Sequence, residues 1–194
     1  MRLGIFGGTF NPIHLGHLKV ADFFYNKLNL DIVFFIPAGN PPHKSVFCDY
    51  QHRFKMVEMA LKNFENFKIL DIEKPNNGKS YTINTLKKIR KSYPNDELLF
   101  LIGEDNVLEI QSWFNYEKLF DSAQFVVLSR KTASKESFKN LPYFDKLKFL
   151  DMPKIDISSN MIRRNISQNI AVNKFLDENV KNYIKKNKLY SKGE

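Results

Sequence analysis

The chain has 194 residues, which suits one domain with a substantial hydrophobic core, and we expect a single domain spanning residues 1–194. Hydrophobic residues make up 43% and charged residues 26%, as in ordinary globular proteins, so the composition excludes a fibrous or disordered chain. The formal net charge of +9 favours anionic partners such as nucleotides, although part of it lies in a lysine-rich C-terminal segment typical of a solvated helix face.

The cysteine count and the apolar runs indicate where the protein works. The single cysteine, Cys48, can form neither an internal disulfide nor a metal cluster, which fits a reducing compartment. The N-terminal residues run directly into a strand pattern without the features of a signal peptide. The longest apolar run, residues 32–37, is too short to cross a bilayer. We therefore expect a cytoplasmic protein with no membrane partner.

Short β-type runs alternate with helical patterns along the chain. Strands are predicted at residues 3–6, 31–37, 68–71, 98–102, 125–128 and 148–150. Helices are predicted at about residues 15–28, 50–62, 81–91 and 177–186, with another that begins near residue 159. This order predicts an α/β fold, a Rossmann-like doubly wound parallel sheet with helices on both faces. Ligands of such sheets bind at the carboxyl ends of the strands, just after Phe6, Pro37, Ile102 and Leu128.

The strongest motif follows the first predicted strand and reads Gly7-Gly8-Thr9-Phe10-Asn11-Pro12-Ile13-His14-Leu15-Gly16-His17. Its two leading glycines allow a tight turn and a close approach of a ligand to the backbone. The two histidines are three residues apart at the start of a helix, so they share one face of it. The helix N-terminus adds free N–H groups and partial positive charge, and both imidazoles can donate to the same phosphate oxygens. The motif predicts a phosphate site.

Three other interpretations of the glycines and histidines fail. Zinc-binding histidines on a helix usually lie four apart with a third ligand elsewhere, and four His and one Cys make a protein-bound metal site improbable, so none is predicted. Gly78-Lys79-Ser80 resembles the end of a P-loop, but Glu73 stands where that pattern requires glycine. A dinucleotide-binding dehydrogenase is excluded because no G-x-G-x-x-G follows the first strand.

A second motif near the other end reads Ile157-Ser158-Ser159-Asn160-Met161-Ile162-Arg163. Either serine is a good N-cap, and the helix that begins there presents another set of N–H donors. Arg163 lies one turn into this helix, and its forked guanidinium can reach a polyphosphate.

Together the two motifs resemble the signatures of the nucleotidyltransferase superfamily of adenylyl- and cytidylyltransferases. The second signature is usually written I-S-S-T-x-I-R, and because Asn160 replaces its threonine, the hydroxyl contact is not carried over to this chain. The resemblance implies that His14, His17 and Arg163 serve catalysis. It implies an ATP site made of Gly7, Gly8, Thr9, Phe10, Gly103, Asp105, Arg130, Ile157, Ser158, Ser159 and Arg163. Within it, Asp105 would hold ribose hydroxyls or contact magnesium, and Arg130 would contact a phosphate or the adenine edge.

The middle of the chain resembles one family of that superfamily, the nicotinate-nucleotide adenylyltransferases. The segments that carry the resemblance are Asn40-Pro41-Pro42-His43-Lys44, Ser80-Tyr81-Thr82, Ile102-Gly103-Glu104-Asp105-Asn106 and Trp113-Phe114. The family implies a mononucleotide site made of Asn40, Lys44, Tyr81, Thr82, Trp113 and Phe114. Trp113 would stack on the nicotinate ring, Thr82 and backbone N–H groups near Phe114 would hold the nicotinate carboxylate, and Lys44 would meet a phosphate.

The implied activity is transfer of an adenylyl group from ATP, accompanied by Mg²⁺, to nicotinate mononucleotide in NAD biosynthesis. Phosphopantetheine adenylyltransferase shares the first and last motifs and ranks second, since it would not require the middle segments together. An enzyme that prefers nicotinamide mononucleotide is a further alternative. A nucleic-acid-binding module would fit the charge, but the basic residues are scattered and match no recognition motif, so no nucleic-acid partner is expected. The oligomeric state stays open.

Overall fold

The computed structural model describes residues 1–41, 48–75, 78–130, 135–153 and 155–191, and for residues 130, 135 and 136 it describes the backbone alone. These residues form a six-stranded parallel sheet with the order β3-β2-β1-β4-β5-β6. The strands are β1 Arg2–Gly8, β2 Ile32–Pro37, β3 Phe67–Ile69, β4 Glu97–Gly103, β5 Gln124–Arg130 and β6 Leu147–Met152. The strand order reverses between β1 and β4, so the sheet has a switch point there.

Seven α-helices lie within the described ranges. They are α1 Leu15–Lys27, α2 Tyr50–Leu61, α3 Thr82–Ser92, α4 Glu104–Val107, α5 Leu119–Ser122, α6 Ser159–Ser167 and α7 Glu178–Lys186. Short 3₁₀ turns occur at Ile110–Ser112, Tyr116–Lys118, Lys135–Phe138 and Phe144–Lys146. The predicted α/β fold is confirmed, with every predicted strand and long helix present. In the described part of the chain, no helix combines the length and the apolar character needed to cross a membrane.

Alternate residues of the central strands pack into two separate hydrophobic cores, one on each face of the sheet. Along β4, Leu99 and Leu101 belong to the core beneath α1, α2, α6 and α7. Leu98, Phe100 and Ile102 belong to the core on the opposite face, which is covered by α3 and by the short helices that follow β4. A strand that is buried on both faces reads as a continuous apolar run, which is why β4 was visible in the sequence.

The turn after β1 differs from the prediction. Gly7 and Gly8 do not form it, because both stay in the strand and pair with Ile36 and Pro37 of β2. The chain bends two residues later, at Phe10, whose φ of 45° lies in the left-handed region. The ring of Phe10 is buried and folds back over Gly8, where an added Cβ would stand 3.2 Å from it. The second glycine therefore makes room for a core side chain.

Candidate active site

An open cleft lies at the carboxyl ends of β1 and β4, where the strand order reverses. Phe6, Leu101, Ile102 and Gly103 border both of its halves. The first, which we call the histidine half, has a volume of about 280 Å³ and is also lined by His14, Gly16, His17, Asp105, Ile157, Ser158 and Ser159. The second, the tryptophan half, has a volume of about 220 Å³ and is also lined by Thr9, Glu73, Ser80, Tyr81, Thr82, Trp113 and Phe114.

The two histidines of the first motif stack on each other at the start of α1. His14 is the N-cap of the helix, and its ring centroid lies 3.7 Å from that of His17 with the planes 20° apart. The backbone N–H of His14 donates to Nδ1 of His17 at 3.2 Å. Because Nδ1 accepts this bond, a neutral His17 carries its proton on Nε2. Its imidazole is therefore fixed as an Nε2–H donor.

Burial keeps both imidazoles neutral near pH 7. Burial lowers the pKa of His14 to about 4. The pKa of His17 falls well below its ordinary value, chiefly through burial and further through the neighbouring charge of a protonated His14. Nδ1 of His14 is buried and has no hydrogen-bond partner among the described residues. The pair can thus donate hydrogen bonds without adding net charge to the cleft.

Gly16 lets the two sequence motifs meet. A Cβ at this position would lie 2.9 Å from Nδ1 of His14 and 3.2 Å from Cβ of Ile157. Oγ of Ser159 donates to the carbonyl of Pro12 at 3.0 Å, which ties the start of α6 to the turn before α1. The N-termini of two helices consequently border the histidine half, and each contributes free N–H groups and partial positive charge.

The second motif begins α6 as predicted, and the structure identifies the capping serine. Oγ of Ser158 accepts a hydrogen bond from the N–H of Met161 at 3.2 Å. Arg163 donates through Nη1 to the carbonyl of Asn11 at 2.6 Å and through Nη2 to Oδ1 of Asn160. The asparagine that replaces the usual threonine therefore orients Arg163, which lines neither half of the cleft.

The tryptophan half combines aromatic rings with an open helix N-terminus. Trp113 is partly exposed and meets Phe100 edge to face at 6.4 Å between centroids, while Phe114 is 50% exposed with its ring 4.7 Å from that of Tyr81. Tyr81 is the N-cap of α3 but makes no side-chain capping bond, and the first turn holds no acidic residue. The N–H groups at the start of α3 suit an anionic ligand such as a carboxylate.

Sequence reasoning missed a polar cluster in the wall of this half. Oγ1 of Thr85 donates to Oε1 of Glu73 at 2.5 Å, and burial raises the pKa of Glu73 although Thr85, the Gly39 N–H and Ser80 stabilise its anion. The backbones of Asn40 and Ser80 are also joined, since Ser80 N–H donates to the Asn40 carbonyl at 3.0 Å. A Cβ on Gly39 would lie 1.7 Å from the Glu73 carbonyl oxygen. The loops after β2 and β3 are thus tied to α3.

A second residue that the sequence did not reveal is Arg53, whose side chain is 1% exposed. It donates to the carbonyls of Thr9 at 2.7 Å, Cys48 at 2.9 Å and Gly39 at 3.4 Å, so it joins the loops that follow β1 and β2. Its only sequence signal is its place on the apolar face of α2, three residues from Tyr50 and from Met56.

The structure brings most of the predicted site residues to the cleft. Those that line it are Gly7, Gly8, Thr9, His14, His17, Tyr81, Thr82, Gly103, Asp105, Trp113, Phe114, Ile157, Ser158 and Ser159. Phe10 is 1% exposed and lies in the core, Asn40 is exposed at the cleft edge, and Arg163 faces Asn11. Lys44 and the side chain of Arg130 lie outside the described residues. The predicted role of each residue stays a prediction.

The switch-point cleft with its paired histidines and second helix N-terminus defines a class, the cytidylyltransferase-like nucleotidyltransferases. The model of that family, described as cytidylyltransferase-like, matches residues 5–165. Two relatives are each described as a probable nicotinate-nucleotide adenylyltransferase. The protein of Clostridium tetani is 41% identical and that of Carboxydothermus hydrogenoformans 39% identical, each alignment covering 97% of this chain and 98% of the relative. The chain belongs to the nicotinate-nucleotide adenylyltransferase family.

A solved structure supports the fold. The Plasmodium falciparum nicotinic acid mononucleotide adenylyltransferase complexed with NaAD superposes with a TM-score of 0.80 at 24% identity, covering 97% of both chains. At that identity the likeness shows a shared fold, including the six-stranded sheet that positions the cleft.

Proposed function

We propose that the chain transfers the adenylyl group of ATP to nicotinate mononucleotide, producing nicotinate adenine dinucleotide and pyrophosphate in NAD biosynthesis. The observation that carries the proposal is the division of one cleft into a histidine half and a tryptophan half that share Gly103 and Phe6. Two substrates bound in adjoining halves would meet at the switch point. Membership of the family supports the same activity.

The histidine half suits the triphosphate of ATP. His17 would donate from Nε2 to a phosphate oxygen, and His14, stacked on it and also lining this half, would donate to the same phosphates. The N-termini of α1 and α6 would stabilise the phosphate charge through their N–H groups and dipoles. Asp105 would hold the ribose hydroxyls, and Arg163, which lines neither half in this arrangement, would have to turn away from the Asn11 carbonyl to reach the phosphates.

The tryptophan half suits nicotinate mononucleotide. The face of Trp113 would stack on the cationic pyridinium ring, a contact worth about 1–2 kcal/mol when desolvated. Thr82 and the N–H groups at the start of α3 would donate to the nicotinate carboxylate, and hydrogen bonds to an anion are the stronger kind. The uncharged amide of nicotinamide would lose this assistance, so the half would select the acid.

The reaction itself requires positioning and charge stabilisation. An oxygen of the mononucleotide 5′-phosphate attacks the α-phosphorus of ATP in line, and the bond from that phosphorus to the bridging oxygen of pyrophosphate breaks. A phosphate monoester is already a competent nucleophile near neutral pH, so no strong general base is needed. His14 and His17 would stabilise the charge that develops on the α-phosphate and on the departing pyrophosphate.

The residues of the histidine half fit a magnesium ion that arrives with ATP. Mg²⁺ usually keeps several waters and binds through substrate phosphates and one or two carboxylates, and exposed Asp105 offers such a carboxylate as the alternative to holding the ribose hydroxyls. Over the described ranges, no cluster of three or more His, Cys, Asp or Glu side chains is arranged to hold a metal ion. When bound, the ion would neutralise charge on the leaving pyrophosphate.

The test mixes the purified chain with Mg²⁺, ATP and nicotinate mononucleotide and measures pyrophosphate and dinucleotide together. We expect equal amounts of both products, and a kcat/KM lower by about tenfold or more with nicotinamide mononucleotide, the cost of losing a charge-assisted hydrogen bond. Phosphopantetheine should give no product. Faster turnover with phosphopantetheine, or pyrophosphate without dinucleotide, would contradict the proposal.

A further inference from the structure

The turn between β1 and α1 is held by the C-terminal segment of the chain. The hydroxyl of Tyr190 donates to Oδ1 of Asn11 at 2.7 Å, and both residues are buried, with 8% and 4% exposure. Asn11 lies three residues before His14, in the stretch that has neither helix nor strand structure of its own. The hydrogen bond therefore joins positions 179 residues apart, in the part of the first motif that has no helical or strand hydrogen bonds of its own.

We propose that Tyr190 is a positioning residue for adenylyl transfer, because its hydroxyl fixes Asn11 and thereby the turn that places His14 and His17. The inference rests on the proposed function. The family model ends at residue 165, so Tyr190 lies beyond the matched span.

The backbone around Tyr190 indicates that the inward direction of its ring is imposed. Tyr190 has a φ of 62° and Lys188 a φ of 54°, both in the left-handed region that side chains other than glycine rarely adopt. Such conformations persist only where the surrounding structure determines them. The pKa of Tyr190 is raised, chiefly by burial. Its hydroxyl therefore stays protonated and remains a donor across the working pH range.

Other donors hold the same turn through backbone carbonyls. Arg53 binds the carbonyl of Thr9, Arg163 that of Asn11, and Ser159 that of Pro12. Tyr190 differs from them because its hydroxyl binds a side chain of the turn, while the same hydroxyl also interacts with the side chain of Cys48 outside the turn. Removing that hydroxyl leaves the other three bonds in place, so the substitution Tyr190→Phe tests position with little change of shape.

The experiment compares Tyr190→Phe with Tyr183→Phe. Tyr183 is a suitable control, since its hydroxyl makes a side-chain hydrogen bond to Nδ1 of His52 at 2.9 Å, which joins α7 to α2 and involves no residue of the turn. We expect Tyr190→Phe to lower kcat about tenfold, as a small misplacement of reacting groups does, with the KM for nicotinate mononucleotide changed less than about twofold. Tyr183→Phe should keep the wild-type kcat. Equal kcat values for both variants would overturn the proposal.

A double-mutant cycle with Asn11→Ala separates positioning from general stability. If Tyr190 acts through Asn11, adding Tyr190→Phe to Asn11→Ala lowers kcat no further, whereas independent effects would multiply and would overturn the proposal. Urea unfolding is measured on the same four proteins. A drop in stability with an unchanged kcat for Tyr190→Phe would also count against a positioning role.

Failure of the proposed function would give a different result, because the wild-type chain itself would then form no dinucleotide. In that case the rise in thermal unfolding midpoint caused by Mg²⁺ and ATP tests whether Tyr190 positions the turn. Tyr190→Phe should lose at least about half of this rise and Tyr183→Phe should keep it, since only the first change loosens the turn beside the helix N-terminus. Equal rises would overturn the inference on Tyr190.

Discussion

The two halves of the cleft are built in different ways. The histidine half lies at the start of two helices, α1 and α6, and hydrogen bonds between distant segments, such as Ser159 to Pro12 and Arg163 to Asn11, hold the backbone there. The tryptophan half depends on loops and carries exposed aromatic surface, with Phe114 50% exposed. Atoms that react must be held closely, whereas a recognition surface tolerates adjustment. We therefore expect changes in the first half to lower kcat and changes in the second to raise the KM of the mononucleotide.

The largest effect should come from His17→Ala. The variant loses an Nε2–H donor whose direction is fixed by the bond from the His14 backbone, and loss of one preorganised donor lowers kcat by on the order of 10²-fold or more. Steady-state kinetics should show the KM for nicotinate mononucleotide changed by less than about threefold. Lys19→Ala, an exposed change on the same helix, is the control and should behave as wild type. A folded His17→Ala enzyme that turns over at the wild-type rate would remove His17 from catalysis.

The buried imidazoles should also make the histidine half sensitive to acid. The pKa of His14 is about 4 in the folded chain against an ordinary value of 6.5. Between these two values the unfolded chain binds a proton at His14 and the folded chain does not. The contribution of neutral His14 to the free energy of unfolding is complete above pH 6.5 and is lost as the pH falls toward 4. Between pH 7 and pH 5 the loss from His14 alone should be about 2 kcal/mol.

Urea unfolding at several pH values measures this loss. His14→Gln removes the titrating group, so its free energy of unfolding should fall less than that of the wild type over the same range. Parallel curves for the two proteins would mean that the imidazole is not held neutral by burial.

Trp113→Ala tests the other half. Loss of the ring should raise the KM for nicotinate mononucleotide about tenfold, as expected for a stacking contact of about 1–2 kcal/mol, and should leave the KM for ATP near its wild-type value. The KM of Trp113→Phe for nicotinate mononucleotide should lie between those of the wild type and Trp113→Ala. Leu108→Ala is a suitable control because Leu108 is 63% exposed and lines neither half. An equal rise in both KM values would contradict the division of the cleft.

Local sequence patterns were enough to predict the elements and the histidine half. Apolar runs and helical periodicity placed every strand and long helix, and two short motifs brought His17 and Ser159 to one cleft. The helices between residues 104 and 122 were missed because pieces of three or four residues are too short to show a period. The turn was assigned to Gly7 and Gly8, but parallel pairing with β2 keeps both in the strand.

Contacts between distant segments could not be predicted in this way. Glu73 and Thr85 are twelve residues apart in loop and helix, and nothing in either neighbourhood indicates that they touch. Tyr190 lies in a lysine-rich segment whose composition is typical of a solvated face, yet its ring is buried. Such pairs depend on how elements pack, which local propensity does not determine.

The smallest expected effect comes from the pair Thr85 and Glu73. Thr85→Val keeps the shape of the side chain and removes the hydroxyl that donates to Glu73, while the bonds from Gly39 and Ser80 remain. The KM for nicotinate mononucleotide should rise about threefold, the net worth of one hydrogen bond, and kcat should stay the same. Thr85→Ser restores the hydroxyl and should restore the KM. If Thr85→Val lowers kcat instead, the loops that Glu73 and Thr85 hold also position the reacting phosphates. The tryptophan half would then be as closely coupled to the chemistry as the histidine half.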